Sequence, residues 1–268
     1  RSTPAPCRLE TYVFPKLGTQ SIADVGAPNL LAMLDLIQKR GTYETAQRVL
    51  RDCHFDILAV RVLHTFCIDA LFFTLYLAIT SATPSAGKTR ILEVLDLLID
   101  DGSHNKAWLT ASTTKAVLVR KIDAVQPVLL LDGTDGAFKG NQEYAEALRV
   151  ILNQGYSRSS EIASLCVGPQ HDYKDFRIFC PKAFAGIGRK NVPDTVLSRS
   201  IPIDMKRKRR DERVEKLRYR EALEIVTPIR EQSEAWVTPQ IITALNAARP
   251  ELPPGLDGRA EDGCEPLL

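Results

Sequence analysis

The stretch LYLAITSATPSAGKTR, residues 75 to 90, joins a continuous apolar run to a loop ending in Gly-Lys-Thr, and Ile91, Leu92, Leu95, Leu98 and Ile99 then recur at helical spacing. A buried strand, a small-residue loop and a helix in that order restrict the chain to few folds. The strand needs parallel neighbours on both sides, and the helix, Lys88 to Ile99, needs a sheet to cover. The same order is what a phosphate group requires. In the pattern GxxxxGK[ST], backbone N–H groups surround phosphate oxygens, the lysine neutralises them and the hydroxyl holds Mg²⁺. Here the frame runs Ala82, Thr83, Pro84, Ser85, Ala86, Gly87, Lys88 and Thr89, with only the leading glycine replaced, by Ala82. Glycine accepts backbone conformations that alanine resists, so the replacement predicts weakened binding rather than none.

VLLLD, Val128 to Asp132, is a second continuous apolar run and predicts a central parallel strand. Its last residue, Asp132, is placed to orient Mg²⁺ through water or through the hydroxyl of Thr89, which makes Thr89 and Asp132 the candidate metal ligands. A hydrolase of this type carries a glutamate beside that aspartate to position the attacking water, yet this chain has Gly133. Asp135 is the candidate substitute, with a plain loop carboxylate as the competing reading. Nucleotide and Mg²⁺ binding is therefore the stronger expectation, and fast hydrolysis the weaker.

Strand and helix patterns alternate along the middle of the chain. AWLTA (107–111) reads as a strand, Ser112 as the cap of a helix reaching Ile122, and Tyr144, Leu148, Ile151 and Leu152 as one face of a helix that Gly155 ends. ASLCVG and FRIFC bracket the polar turn PQHDYKD as a hairpin, and KAFAGI (182–187) and SIPIDM (200–205) complete five core strands. Before the core, NLLAMLDLIQKR and FDILAVRVLHTFCIDA carry helical periodicity; after it, the chain from Lys206 is charged and reads as mostly helical until Pro250, Pro253 and Pro254. The expected divisions are a helical segment over 1–55, a nucleotide-binding core over 56–205, and a basic link with a helical lid over 206–268.

Composition excludes several alternatives. The chain is 44% apolar and 25% charged, with 35 basic against 33 acidic side chains, so any nucleic-acid surface must come from local clustering. Six scattered cysteines form no CxxC pair and predict a reducing, cytoplasmic setting; Cys166, His171 and Cys180 fit no zinc spacing. ALFFTLYLAIT is far shorter than the roughly 20 residues of a membrane-crossing helix, so no membrane partner is expected. The opening on Arg1 reads as the start of a fragment or a processed product.

Four blocks, YLAITSATPSAGKTRILEVLDLL, LLLDGTDGAFKGNQEYAEALRVILNQG, CPKAFAGIGRKNVPDTVLSRSIPIDMKRK and LPPGLDGRAEDGCEPLL, give the chain a resemblance to an uncharacterised family of P-loop ATPase domains of actinobacteria, phages and plasmids, often attached to primase modules. The resemblance implies a P-loop NTPase three-layer α/β sandwich with a mostly parallel five-stranded sheet, similar to AAA+ or RecA-like replicative-helicase ATPases, with an inserted β-hairpin and a partial helical lid at the carboxyl end. It implies ATP and Mg²⁺ as ligands, and a homo-oligomeric ring in which one subunit's arginine reaches the next subunit's nucleotide. Arg199 matches that arginine, with a salt-bridging surface residue as the competing reading. The family's usual run is similar to LLLDE, so Gly133 is a departure. Its residue before the arginine is usually acidic, where this chain has Ser198. The EPLL block normally continues into a further helix, so the lid reads as truncated. No polar sensor residue is evident after AGIG, with Asn191 a weak candidate.

KRKRR (206–210) could contact DNA phosphates in a salt-dependent way, although the mixed charges of DERVEKLRYREALE favour a solvated helix face. The hairpin offers Lys174, Arg177, Arg158 and Tyr173 as candidate contacts for a single strand, against a plain surface hairpin. Trp108 and Trp236 are too isolated to support an RNA-binding platform. Three readings follow: a DNA-replication-associated ATPase or helicase, a degenerate nucleotide-binding scaffold for a primase or replication partner, and a DNA-binding module, single- or double-stranded, for which the phosphate loop matters less.

Overall fold

The computed structural model describes residues 43–99, 106–111, 113–140, 142–167, 172–209, 211–212, 216–252, 255–256 and 258–265. The predicted helix at Asn29–Arg40, the capping role of Ser112 and the turn residues 168–171 lie outside them. The chain divides into two compact units, Arg1–Arg61 with Arg249–Leu268, and Val62–Ala248. Among the described residues, the first holds most of helix α1 (Tyr43–Phe66) and the short helix α9 (Gly258–Cys264).

The second unit is an α/β fold. Strands β1 (Tyr76–Ser81), β2 (Ala107–Thr110), β3 (Val128–Leu131), β6 (Lys182–Ile187) and β7 (Ser200–Met205) form one sheet in the order β2-β3-β6-β1-β7, and every neighbouring pair is parallel. The apolar run of β1, which leads into the Gly-Lys-Thr loop, takes a central place for a physical reason. Tyr76, Leu77, Ala78 and Ile79 are each at most 1% exposed, which only a strand covered on both faces allows. Burying each leucine or isoleucine of this kind contributes about 1.5–3 kcal/mol. The central residues of the sheet are thus strands whose carboxyl ends share one edge.

Helices α2 (Lys88–Ile99), α3 (Lys115–Val125) and α5 (Gln142–Gln154) follow β1, β2 and β3. Helix α2 buries Leu92, Leu95, Leu97 and Ile99, whereas Ile91 and Leu98 are half-buried. Helix α3 is capped by Thr114, whose hydroxyl accepts from Val117 N at 3.4 Å, and it runs past the predicted Ile122 until Gln126 enters the left-handed region at φ 48°. A short helix not anticipated from periodicity, α4 (Thr134–Lys139), stands between β3 and α5. Gly155 does follow α5, but not as a left-handed cap. A Cβ there would lie 2.3 Å from Ile178 O, so close backbone approach excludes any side chain.

A two-stranded antiparallel sheet, β4 (Ile162–Val167) with β5 (Asp172–Arg177), lies between α5 and β6. The sequence places the return strand at FRIFC; it begins four residues earlier instead. Cys166 faces Tyr173 and Val167 faces Asp172, so the backbone ladder continues through the polar residues DYKD, and Phe176 alone of β5 is buried. Ile178, Phe179 and Cys180 are buried outside any strand and lead into β6, and the short helix α6 (Asp194–Leu197) stands between β6 and β7.

After β7 the charged stretch read as a basic link leading into mostly helical chain does not become helical at once. Residues 206–209 are exposed and non-helical, as like charges three and four apart oppose a helix, and α7 begins only at Tyr219 (Tyr219–Trp236). It packs Ala222 and Val226 on Leu97 of α2. Helix α8 (Pro239–Ala247) starts with Thr238 accepting from Ile241 N and proline at its first position. Among the described residues, no helix is long and apolar enough to cross a membrane.

Candidate functional site

The loop after β1 is built by two left-handed residues. Ser85 has φ 58° and Gly87 φ 91°, which turns the chain sharply enough to begin α2 directly above the end of β1. A side chain at Gly87 would be strained there. Ala82 is not among the positive-φ residues, so the alanine in place of a leading glycine meets no conformational penalty. Residues 82–85 are exposed while Ala86 is buried beneath them. The earliest bond of α2 runs from Ile91 N to Gly87 O at 3.3 Å, which leaves the N–H groups of Lys88, Thr89 and Arg90 without an intrahelical acceptor.

Two linked pairs converge on this corner. Lys88, 8% exposed, donates from Nζ to Ser81 Oγ at 2.7 Å, and Ser81 in turn donates to Thr83 O at 2.6 Å, so the lysine is held over the base of its own loop. Thr89 Oγ1 donates to Asp132 Oδ2 at 2.8 Å, and Gly133 N donates to Asp132 Oδ1 at 2.9 Å. The aspartate at the end of β3 and the hydroxyl at the start of α2 are therefore brought together as their spacing predicts. Ser81 was not anticipated; its signal was its place immediately before the loop frame.

Gly133 adopts φ 72°, and nothing lies within 4 Å of where its Cβ would be. The residue next to Asp132 thus has room for a side chain but the wrong backbone for one. Gly133→Ala is expected to cost about 1–2 kcal/mol of stability by chemical denaturation, from the left-handed conformation alone. Asp135 Oδ1 accepts from Ile187 N at 2.9 Å, and Thr134 Oγ1 donates to Ala185 O at 3.1 Å. These bonds draw α4 onto the end of β6, where a Cβ on Gly186 would be 2.6 Å from Thr134 Oγ1. Gly186 is dictated by that approach. Asn191 turns back on its own loop, donating from Nδ2 to Ile187 O at 2.7 Å.

Arg199 is not brought to this corner. Its carbonyl accepts from Tyr76 N at 2.9 Å, its Nη1 donates to Thr195 O at 2.5 Å and its guanidinium lies 5.6 Å from the Tyr156 ring, all at the amino end of β1. Lys88 and Asp132 stand at the opposite edge of the sheet. Arg158 is committed to structure as well, donating to Leu71 O at 2.8 Å and Ile68 O at 3.0 Å. On the hairpin, Tyr173 is 86% exposed, Lys174 lies over the Phe176 ring at 5.2 Å and Arg177 pairs with Asp123 at 4.0 Å. Cys180 is buried and Cys166 exposed, and burial pushes the Cys67 thiol above its ordinary range. Among the described residues no group of three or more His, Cys, Asp or Glu is placed to hold a metal.

A second linkage was also missed. Thr80 Oγ1 donates to Asp204 Oδ1, and Asp204 Oδ2 lies 3.6 Å from Arg189 Nη1. Asp204 reads in sequence only as the polar residue of an alternating strand, and its partners come from elements distant in the chain.

Two family matches cover parts of the chain. Residues 6–57 match the phage integrase central domain, and residues 204–268 match a family described as a protein of unknown function (DUF3631). The second takes in the KRKRR run and the block LPPGLDGRAEDGCEPLL. No curated protein matches the chain. Together the two matches suggest a phage- or plasmid-associated family.

Proposed function

We propose that this protein binds a nucleoside triphosphate, ATP, with Mg²⁺ at the loop after β1, as a P-loop domain of a DNA-replication-associated ATPase or helicase. The observation that carries the reading is the pairing of Thr89 Oγ1 with Asp132 Oδ2 at 2.8 Å beside the inward-held Lys88. A hydroxyl and a carboxylate are hard oxygen donors of the kind Mg²⁺ takes, with waters and phosphate oxygens completing its shell. Thr89 and Asp132 would hold the metal, which when bound neutralises charge on the phosphate oxygens. Lys88 supplies the fixed positive charge, and the exposed loop from Ala82 to Ser85, with the N–H groups of the first turn of α2 that have no intrahelical acceptor, supplies the dipoles.

Turnover is slow in this reading. Gly133, the residue adjacent to Asp132, carries no side chain to present a base to water, and Asp135, three residues on, has its Oδ1 held by the Ile187 N–H. This favours, as the second reading, a nucleotide-dependent scaffold for a primase or other replication partner. Arg199 could serve only another copy's nucleotide, across a ring, because it stands at the opposite edge of the sheet from Lys88. The exposed residues Lys206, Arg207, Lys208 and Arg209 supply a phosphate-contacting surface for DNA.

Titration with a fluorescent ATP analogue, with and without Mg²⁺, tests the reading. Mg²⁺ is expected to tighten binding, and Asp132→Asn to remove most of that gain, about tenfold, while sparing the Mg²⁺-free affinity. Binding indifferent to Mg²⁺ in the unmodified protein would count against the metal site.

A further inference from the structure

The guanidinium of Arg189 lies across the exit of the strand that carries the phosphate loop. Arg189 opens the short 3-10 turn Arg189–Asn191 after β6, and its partner Asp204 lies near the end of β7. These strands are not neighbours, because β1 stands between them. At ordinary strand spacing their backbones are about 9–10 Å apart, so the ion pair bridges over the end of β1. The bridge is registered from below. Gly188 N donates to Ser81 O at 2.8 Å, Thr80 stands opposite Asp204 and donates to it, and Ser81 accepts from Lys88.

As a structural bond this pair is poor. Its side chains are 51% and 61% exposed and its one contact is 3.6 Å long, and exposed pairs of this kind contribute little to stability. A phosphate is the better partner for a guanidinium, which can donate two parallel N–H bonds to its oxygens. The location suits that exchange. Strand β6 ends between β1, whose loop leads to Lys88, and β3, which ends at Asp132, so the last phosphate of a chain gripped by both would come to rest above β6. There Gly186 has no side chain, the Ile187 N–H is committed to Asp135 and the Asn191 amide to Ile187 O. Arg189 is the cation that the fold already holds beside that point.

We propose that Arg189 reads the terminal phosphate: its guanidinium leaves Asp204 for the triphosphate, and a diphosphate leaves the Arg189–Asp204 bridge closed. This rests on the triphosphate reading above. The consequence is local to β7, since Asp204 adjoins Met205, whose Cε lies 3.5 Å from where a Cβ on Gly87 would stand. Nucleotide state would thereby be felt at the start of the basic segment from Lys206.

Equilibrium titrations of the full chain with a non-hydrolysable ATP analogue and with ADP, both with Mg²⁺, test it in four proteins. These are the unmodified chain, Arg189→Ala, Asp204→Asn and Lys88→Ala, with circular dichroism to verify folding. Arg189→Ala is expected to weaken the triphosphate analogue roughly tenfold or more and leave ADP unchanged. Asp204→Asn, which keeps an oxygen for Thr80 but removes the competing charge, is expected to raise the preference for triphosphate over ADP severalfold. An unchanged preference in Arg189→Ala, or an equal loss for both nucleotides, overturns this inference alone provided Lys88→Ala abolishes binding. Absence of nucleotide binding by the unmodified chain, or binding indifferent to Lys88→Ala, overturns both this inference and the reading on which it rests.

Discussion

Lys88→Ala should lower the affinity for ATP by at least about a hundredfold, equivalent to ~3 kcal/mol, with the fold retained. Lys88 is 8% exposed and its ammonium bonds the hydroxyl of Ser81, so the folded chain holds a positive charge at the loop against a neutral acceptor. That arrangement is matched to an arriving anion. Charge-assisted bonds to phosphate are about twice as strong as neutral ones, and here they would form where water is partly excluded. Alanine removes the charge without adding bulk, and the Ser81 hydroxyl keeps its own bond to Thr83 O. Lys88→Arg is not a rescue, because a planar fork cannot occupy the space of a compact ammonium over Ser81. Calorimetric titration with ATP and Mg²⁺ reads the effect, and an affinity unchanged by Lys88→Ala would remove the central support of the proposed function.

The corner that this prediction concerns was legible because its geometry is local or nearly so. Gly87, Lys88 and Thr89 are fixed by one strand-to-helix turn, and Asp132 reaches Thr89 because two parallel strands must align their carboxyl ends. The five core strands were visible for a similar reason: VLLL and YLAI are buried on both faces and show it as unbroken apolar runs. What sequence missed depends on distant partners or on backbone alone. Strand β5 opens with DYKD, whose side chains say loop and whose N–H and C=O groups say ladder. The concern over Ala82 came from assuming a glycine-like dihedral, whereas the positive φ falls on Ser85 and Gly87. Gly155 and Gly186 resemble punctuation in sequence, yet each is required by an oxygen approaching from another element. Arg189 and Asp204 meet only because the strand order sets β1 between β6 and β7.

The other large effect is expected at the far edge of the sheet. Lys182, the first residue of β6, is 1% exposed, and its ammonium donates to Gly155 O at 2.9 Å and to Ile178 O and Cys180 O, each at 3.0 Å. All three N–H groups are used, with the Tyr76 ring 5.1 Å away. The side chain thus ties the end of α5 and the buried link Ile178–Cys180 to the start of the central sheet. Lys182→Met keeps the volume and recovers the desolvation of a charge, but it leaves these carbonyls without that donor. A net loss of about 3 kcal/mol follows, which for a unit of this size lowers Tm by roughly 6–12 °C. Gly155→Ala strikes the same junction, since its Cβ would be 2.3 Å from Ile178 O and 2.7 Å from Lys182 Nζ. The double variant should therefore lose less than the sum of the two single losses, as expected for residues in direct contact. Calorimetric melting of the three variants decides it, and a Tm for Lys182→Met within ~2 °C of the unmodified chain would show that the carbonyls find other donors. Nucleotide affinity measured well below the transition should be unaffected, because Lys182 stands at the amino end of β6 and Lys88 at the carboxyl edge of the sheet. Lys88→Ala should show the reverse pattern, losing affinity with little change in Tm.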